Sequence, residues 1–207
     1  FCIRCHGLYP MTAPLLFAKG AIFMRKYSIL RLSTDAMLCA MCAVLGYLAI
    51  DLTTVKITFE SLPIFLAAIM FGPVDGLAVG AVGTLIYQLL RYGFSATTLL
   101  WMFPYMLLGL LIGLFAKYHH FRPERIRTLI VVTIGELLVT ALNTGVIYAD
   151  SKIYGYYYPM IILGSLAFRL ITSLAKGILF GIALPPLITA IRRGVPGVAN
   201  PCETQNK

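Results

Sequence analysis

The sequence predicts an all-α, polytopic membrane protein: a bundle of six transmembrane helices with both termini in the cytoplasm. Hydrophobic residues make up 59% of its 207 residues and charged residues only 12%, whereas soluble domains carry about 25% charged residues. The apolar residues form long runs and do not alternate, as the strands of a membrane barrel would. Lys and Arg are concentrated on one side of the resulting topology.

Six apolar runs bounded by charged residues or by Pro and Gly predict the helices, because a spanning helix needs about 20 mostly apolar residues. Their ranges are 32–50, 57–72, 75–91, 97–116, 128–149 and 160–191. The second and third are separated only by FGPVDG, which predicts a tight cytoplasmic turn. Pro73 suits the first turn of the following helix, and we expect Asp75 to cap its positive N-terminus.

Glycines recur at helical spacing on the third and fourth predicted helices. Small residues at such positions let helix backbones approach closely in a membrane. We therefore expect most of these glycines to serve helix packing. They are Gly72, Gly76, Gly80 and Gly83 on the third helix and Gly109 and Gly113 on the fourth.

The distribution of Lys and Arg sets the orientation. Twelve of them fall on the side that holds both termini and the KYHHFRPERIR loop, whereas the opposite side holds only Lys56, Arg91 and Lys152. The positive-inside rule places the richer side in the cytoplasm. The net charge of +9 is therefore mainly a topology signal, with attraction to anionic lipid as a second contribution, and it requires no nucleic acid.

We expect three parts in the chain. Residues 1–26 are an N-terminal extension that is either disordered or not native, residues 27–193 are the six-helix transmembrane domain, and residues 194–207 are a cytoplasmic tail. CIRCH at the start matches the pattern of covalent haem attachment. Such haem is attached on the oxidising side of the membrane, whereas this end of the chain is predicted to be cytoplasmic, so we expect no haem. We expect no other cofactor and no metal. Cys39 and Cys42 lie within an apolar helix, where small packing residues are expected.

Three predicted helices carry polar stripes, which indicate a polar interior. A charged side chain at the middle of the membrane costs about 2.5 to 3.5 kcal/mol on insertion scales, so charged residues there usually face a cavity or a partner. Glu136 is either a structural partner of Arg169 or Lys176, or part of a functional polar site. The stripes are Thr84, Tyr87, Gln88 and Arg91 on the third helix, Glu136, Thr140 and Asn143 on the fifth, and Ser165, Arg169, Thr172 and Lys176 on the sixth.

Aromatic residues are concentrated in the two outer segments RYGFSATTLLW and DSKIYGYYYP. Aromatic belts at the membrane interface are one explanation. Aromatic planes above polar groups also suit a flat organic ligand. The residues of these segments are Tyr92, Phe94, Trp101, Tyr154, Tyr156, Tyr157 and Tyr158, and Tyr105 follows the first segment by four residues.

The chain resembles the substrate-binding S components of energy-coupling factor (ECF) vitamin transporters over nearly all of residues 27–193. The resemblance rests on size, six predicted helices, small residues on the first helix and the segment ITFESLPIFLAAIMFGPVDGLAVGAVGTLI. It is most similar to the folate-type branch, through ALNTGVIY, the tyrosine-rich loop and FRLITSLAK.

The resemblance implies a non-catalytic vitamin receptor in a prokaryotic cell membrane. A transmembrane coupling (T) subunit and two ATPase subunits would supply the energy. In the family an alanine-x-x-x-alanine surface on the first helix binds the coupling subunit, which corresponds here to Ala36 and Ala40, with Ala43 continuing the ridge.

The expected ligand is a vitamin-like anion, with folate first and pantothenate, riboflavin or a thiamin precursor still open. A flat pterin suits the aromatic residues, and the glutamate carboxylates suit Arg91, Arg169 or Lys176. Lys176 lies about ten Å deeper than Arg169 by helical rise. We therefore expect Arg169 to contact the ligand and Lys176 to pair with Glu136 or stay near the cytoplasmic half. The candidate ligand-binding residues are Arg91, Tyr92, Trp101, Tyr105, Asn143, Tyr154, Tyr156, Arg169 and Lys176.

Two other classes of protein remain open at this stage. A stand-alone secondary transporter or channel would use Glu136 and Asp75 as proton or cation sites. An intramembrane enzyme would need a nucleophile with its base, paired carboxylates or a metal-ligand cluster, and the sequence places none of these together at a membrane face.

Overall fold

The computed structural model describes residues 29–52, 55–119, 125–155 and 159–194. Within these ranges the chain forms six helices and one short hairpin of two antiparallel strands. The whole N-terminal extension with its cysteine motif, nearly all of the C-terminal tail, and Tyr156 lie outside the described residues. The elements are α1 (Ile29–Tyr47), β1 (Ile50–Leu52), β2 (Val55–Ile57), α2 (Ser61–Met70), α3 (Pro73–Tyr92), α4 (Thr98–Tyr118), α5 (Arg125–Ile153) and α6 (Pro159–Gly194).

The long apolar helices predicted in the second half of the chain are confirmed. In the described part, four stretches are long and apolar enough to cross a membrane: Pro73–Tyr92, Thr98–Tyr118, Arg125–Ile153 and Leu166–Ile191. They correspond to α3, α4, α5 and most of α6. A bundle of this kind is consistent with the predicted membrane protein.

The first two predicted helices differ from the observed elements. The chain leaves α1 at Tyr47 and forms the β1–β2 hairpin, in which Ile50 pairs with Ile57. The β-branched residues of TTVKIT favour strands over helix. Helix α2 therefore has only 10 residues, about 15 Å of helix against a hydrocarbon core of about 30 Å. The predicted helix 57–72 is wrong in its first part, and a total of six spans remains a prediction.

Helix α2 lies at the centre of the bundle. Nine of its 10 residues are buried, and it packs against α1, α3, α4 and α6. Its residues are apolar on every side, as expected of a helix surrounded by others. Phe65, for example, meets Phe180 of α6 edge to face with ring centroids 6.4 Å apart. The residues at the start of α2 are thereby carried into the interior.

The predicted glycine packing is confirmed between α3 and α4. A Cβ atom on Gly76 would lie 2.6 Å from the carbonyl oxygen of Gly109, and one on Gly80 would lie 2.5 Å from that of Tyr105. These contacts are with backbone atoms, which cannot move aside without separating the helices. Gly83 instead packs against the side chain of Cys42 of α1, whose Cβ atom would lie 2.7 Å from a Cβ atom on Gly83.

The two cysteines of α1 serve packing, as predicted. Cys39 and Cys42 are both buried and free. The Cys42 thiol donates to the Glu60 carbonyl oxygen at 3.4 Å, and it joins α1 to the residue that precedes α2.

The expected cap function of Asp75 is wrong. The N-cap residue of α3 is Gly72, at a φ of 113°, and Asp75 lies in the first turn of the helix. Pro73 occupies the first turn, as predicted. The buried Asp75 carboxylate instead forms an ion pair with Arg31 of α1, which also donates to the Phe71 carbonyl oxygen at 2.6 Å. The Arg31 guanidinium carries a full positive charge and several donors, which suit a buried carboxylate, so the starts of α1 and α3 are held together.

We predict that Gly76→Ala lowers the free energy of unfolding by about 1 to 3 kcal/mol, because the added methyl overpacks the α3–α4 contact. Gly145→Ala in α5 is the matched control, since nothing lies within 4 Å of a Cβ atom there. Thermal unfolding of both variants in detergent measures the difference. Equal midpoints for the two variants would show that α3 and α4 are not in backbone contact at this position.

Candidate ligand-binding site

A buried ion pair connects the polar stripes of α5 and α6. The Lys176 Nζ atom lies 3.1 Å from Glu136 Oε2, and the Ser61 hydroxyl of α2 donates to the other carboxylate oxygen of Glu136. Lys176 also donates to the carbonyl oxygen of Thr58 at 3.3 Å. The expectation that Lys176 pairs with Glu136 is confirmed, and its charge is balanced within the protein.

Arg169 has a different environment. It is half-buried, and its guanidinium donates to the Thr144 hydroxyl of α5 at 3.5 Å. Among the described residues, no carboxylate lies within ion-pair distance of Arg169, whereas Glu136 and Asp75 already pair with Lys176 and Arg31. Arg169 is therefore the interior cation that is suited to meet an anionic ligand.

Tyr105 of α4 joins the polar residues of several elements. Its side chain is buried, and its hydroxyl accepts from Asn143 Nδ2 at 3.4 Å. Thr58 and Glu60 lie within hydrogen-bonding reach of the same hydroxyl. Arg169 is near enough to interact with it electrostatically. Three of the predicted site residues, Tyr105, Asn143 and Arg169, are thus brought together.

Glu60 belongs to this network and was missed by sequence reasoning. Its side chain is 2% exposed and accepts from the Thr58 hydroxyl at 3.1 Å. It stands at the N-cap position of α2 but does not cap that helix. A Cβ atom on Gly46 would lie 3.0 Å from Glu60 Oε2 and 2.9 Å from the Tyr87 ring, so the carboxylate and this ring are neighbours. A carboxylate that directly precedes an apolar run was the available sequence signal.

The polar stripe of α3 faces inward, as predicted. Thr84, Tyr87 and Gln88 are all buried. Together with Tyr105 they give the interior both aromatic and polar surface. In α6 the side chain of Ser165 is outside the described residues, while Thr172 donates back to its own helix at the Phe168 and Arg169 carbonyl oxygens.

Arg91 and Tyr92 lie at the end of α3, on the rim of the bundle. Arg91 donates to the Tyr47 carbonyl oxygen at 3.0 Å, and its guanidinium carbon lies 5.9 Å and 6.0 Å from the ring centroids of Tyr47 and Tyr92. Tyr92 is exposed and meets Tyr87 edge to face at 6.2 Å. Through Tyr92, Arg91 at the rim is thus connected to the buried Tyr87 ring. These contacts also show that α1 and α3 end on the same side.

The remaining predicted aromatic residues lie apart from the network. Trp101 is half-buried in the first turns of α4, and Tyr154 is exposed at the end of α5. In the part of the chain described here, neither side chain hydrogen-bonds to the polar network. Their role in ligand binding remains a prediction.

The alanine surface of α1 is smaller than predicted. Ala36 and Ala40 are exposed on one face of α1, whereas Ala43 is 6% exposed and belongs to the interior. Helical spacing places residues 36, 40 and 43 close to one face of α1, so the burial of Ala43 comes from packing against neighbouring elements near the end of α1. Ala43 is therefore not part of the exposed surface, and its role in partner binding remains a prediction.

Apolar helices around a polar, aromatic interior are typical of a membrane protein that holds a small molecule between its helices. The family described as "ECF-type riboflavin transporter, S component" matches residues 26–193. This match covers most of the chain, and the protein belongs to that family. Comparison with curated proteins gives no match.

Three solved structures share the fold. FolT bound with folic acid is 22% identical, with a TM-score of 0.58 over 79% of this chain and 95% of that chain. An S component for biotin from an ECF-type ABC transporter is 20% identical, with a TM-score of 0.58 over 77% and 90%. The S component of a bacterial ECF transporter is 25% identical, with a TM-score of 0.55 over 78% and 97%. This likeness shows the fold and leaves the ligand open.

The chain is thus an S component of an ECF transporter for a vitamin, and it is a multi-pass cell membrane protein. It is not an enzyme, since the family and the similar structures are substrate-binding transport components. Membership of this family argues against the two other classes, a stand-alone transporter or channel and an intramembrane enzyme. Consistent with this, Asp75 and Glu136 both have cationic partners within the protein.

We predict that Lys176→Gln lowers the free energy of unfolding by about 3 to 5 kcal/mol, because it leaves the buried Glu136 carboxylate without its partner. Arg169→Gln is the matched control and should leave stability nearly unchanged. Thermal unfolding in detergent without added ligand makes the comparison. A Glu136→Gln/Lys176→Gln double variant should recover part of the loss; additive losses would argue against the ion pair.

Proposed function

We propose that this S component binds folate outside the cell and delivers it inward together with a T subunit and two ATPase subunits. The observation that carries this proposal is the half-buried Arg169, which contacts a hydroxyl and, among the described residues, no carboxylate. Folate supplies glutamate carboxylates for such a guanidinium. It also supplies a flat pterin for an interior that contains Tyr87 and Tyr105.

Riboflavin is the second candidate, because the matching family is described by that vitamin. Its ring system is flat and would suit the same aromatic surface. It carries no carboxylate, however, and would leave Arg169 without an anionic partner. The charge of the ligand therefore distinguishes the two candidates.

The proposed orientation places the Arg31–Asp75 end of the bundle in the cytoplasm, with both termini on that side. The support is the excess of Lys and Arg in the segments before α1, between α4 and α5 and after α6. In this orientation the β1–β2 hairpin and the rim residue Arg91 face outward. Helix α2 then runs from the hairpin to the cytoplasmic turn and brings the number of crossings to six.

We predict that the purified protein retains folate, identified by mass spectrometry of the released small molecules. Folate should also quench Trp101, the single tryptophan of the chain, and Arg169→Gln should weaken its binding roughly ten- to hundredfold. A pterin without the glutamate chain is the matched probe, and its affinity should hardly change with the substitution. Retention of riboflavin, with no measurable folate binding, would overturn the folate proposal.

We also propose that Ala36 and Ala40 form the surface for the T subunit, because both are exposed and small side chains permit close helix approach. Ala36→Trp or Ala40→Trp should abolish vitamin uptake and co-purification with the T subunit while folate binding persists. Ala141→Trp, at an exposed alanine of α5, is the control and should leave uptake intact. Normal assembly of both α1 variants would refute this surface.

A further inference from the structure

Two hydrogen-bond acceptors other than backbone oxygens lie next to the Tyr105 hydroxyl. One is the carboxylate of Glu60, which is buried at the start of α2. The other is Asn143 Oδ1, a buried atom that has no hydrogen-bond partner in the described part of the chain. The amide nitrogen of Asn143 is already used, since it donates to Tyr105. The free acceptor of Asn143 therefore calls for a donor from outside the protein.

Glu60 is placed for a ligand better than for helix capping. It stands at the N-cap of α2 without bonding to that helix end, and the Thr58 hydroxyl and Tyr105 hold its carboxyl group in the interior. The Tyr87 ring lies near the same carboxylate, since both border Gly46. An acceptor beside aromatic surface is suited to the polar edge of a flat ring.

We propose that Glu60, with Asn143, binds the N–H edge of the vitamin's heterocycle. This rests on the proposed function and deepens it by assigning each end of the ligand. A 2-amino-4-oxopyrimidine edge, as in folate, presents a ring N–H and an exocyclic amino group side by side. A carboxylate accepts two such parallel bonds, as it does from a guanidinium. The ring then lies at the α2–α4 side and the ligand carboxylates lie at Arg169.

The two charges give the site a direction. Glu60 disfavours a carboxylate at the ring end, because two like charges in a low-dielectric interior repel. Arg169 favours a carboxylate at the other end. A ligand with donors at one end and an anion at the other satisfies both groups, whereas an anion without ring N–H donors satisfies only Arg169.

The test compares ligands that differ in one donor. Folate and its 2-deamino analogue are titrated against the wild-type protein and Glu60→Gln, with Trp101 fluorescence as the readout. Wild-type protein should bind folate roughly ten- to hundredfold more tightly than the 2-deamino analogue. Glu60→Gln should weaken folate by a similar factor and the analogue much less. The unfolding midpoint of Glu60→Gln checks that this near-isosteric variant is folded.

Equal affinity of wild-type protein for folate and the 2-deamino analogue would overturn the inference, and this result requires no variant. An equal loss for both ligands in Glu60→Gln would also overturn it, since Glu60 would then act only on the fold. Riboflavin and N3-methylriboflavin serve as a second pair that differs in one ring N–H. If the protein binds riboflavin and not folate, the folate proposal fails, and this pair decides the role of Glu60 separately by the same criteria.

Discussion

The Glu136–Lys176 ion pair is the interaction on which the arrangement of the site depends. A single charge in a membrane interior is costly, but two opposite charges at 3.1 Å compensate each other. Ser61 donates to the same carboxylate and Lys176 reaches the Thr58 carbonyl oxygen, so α2, α5, α6 and the end of the β1–β2 hairpin meet at one point. Lys176 is neutralised there, whereas Arg169 has no carboxylate partner among the described residues, which is the basis of the ligand contact proposed for it.

The short helix α2 makes this meeting possible. A helix of normal spanning length would present its ends at the membrane surface, but α2 has 10 residues and begins inside the bundle. Its start therefore brings Glu60 and Ser61 next to the polar faces of α4, α5 and α6. The apolar residues that follow, buried on every side, hold that position through packing. The acidic group Glu60 and the cationic group Arg169 thus both lie near Tyr105.

The two ends of the bundle are built differently. Towards the end that holds Arg31 and Asp75, glycines allow direct backbone contact, between Gly76 and Gly109 and between Gly181 and Leu129. Towards the hairpin, the helices are joined by side-chain hydrogen bonds such as Asn143 to Tyr105 and Arg169 to Thr144. Backbone contacts close the first end tightly. The second end is joined by contacts between side chains.

The sequence by itself determined the class of protein, the four long helices, the α3–α4 glycine packing and the residues that share each polar face. Composition and helical periodicity act locally, so they can be read without knowing the neighbours. Only the tertiary structure decided which neighbour each face meets: Asp75 met Arg31 and not its own helix end, Ala43 turned inward, and Glu60 entered the network. These outcomes depend on where the chain leaves α1 and how short α2 is. The physical reason is that contacts between helices are set by packing across the bundle, which no periodicity within one helix specifies.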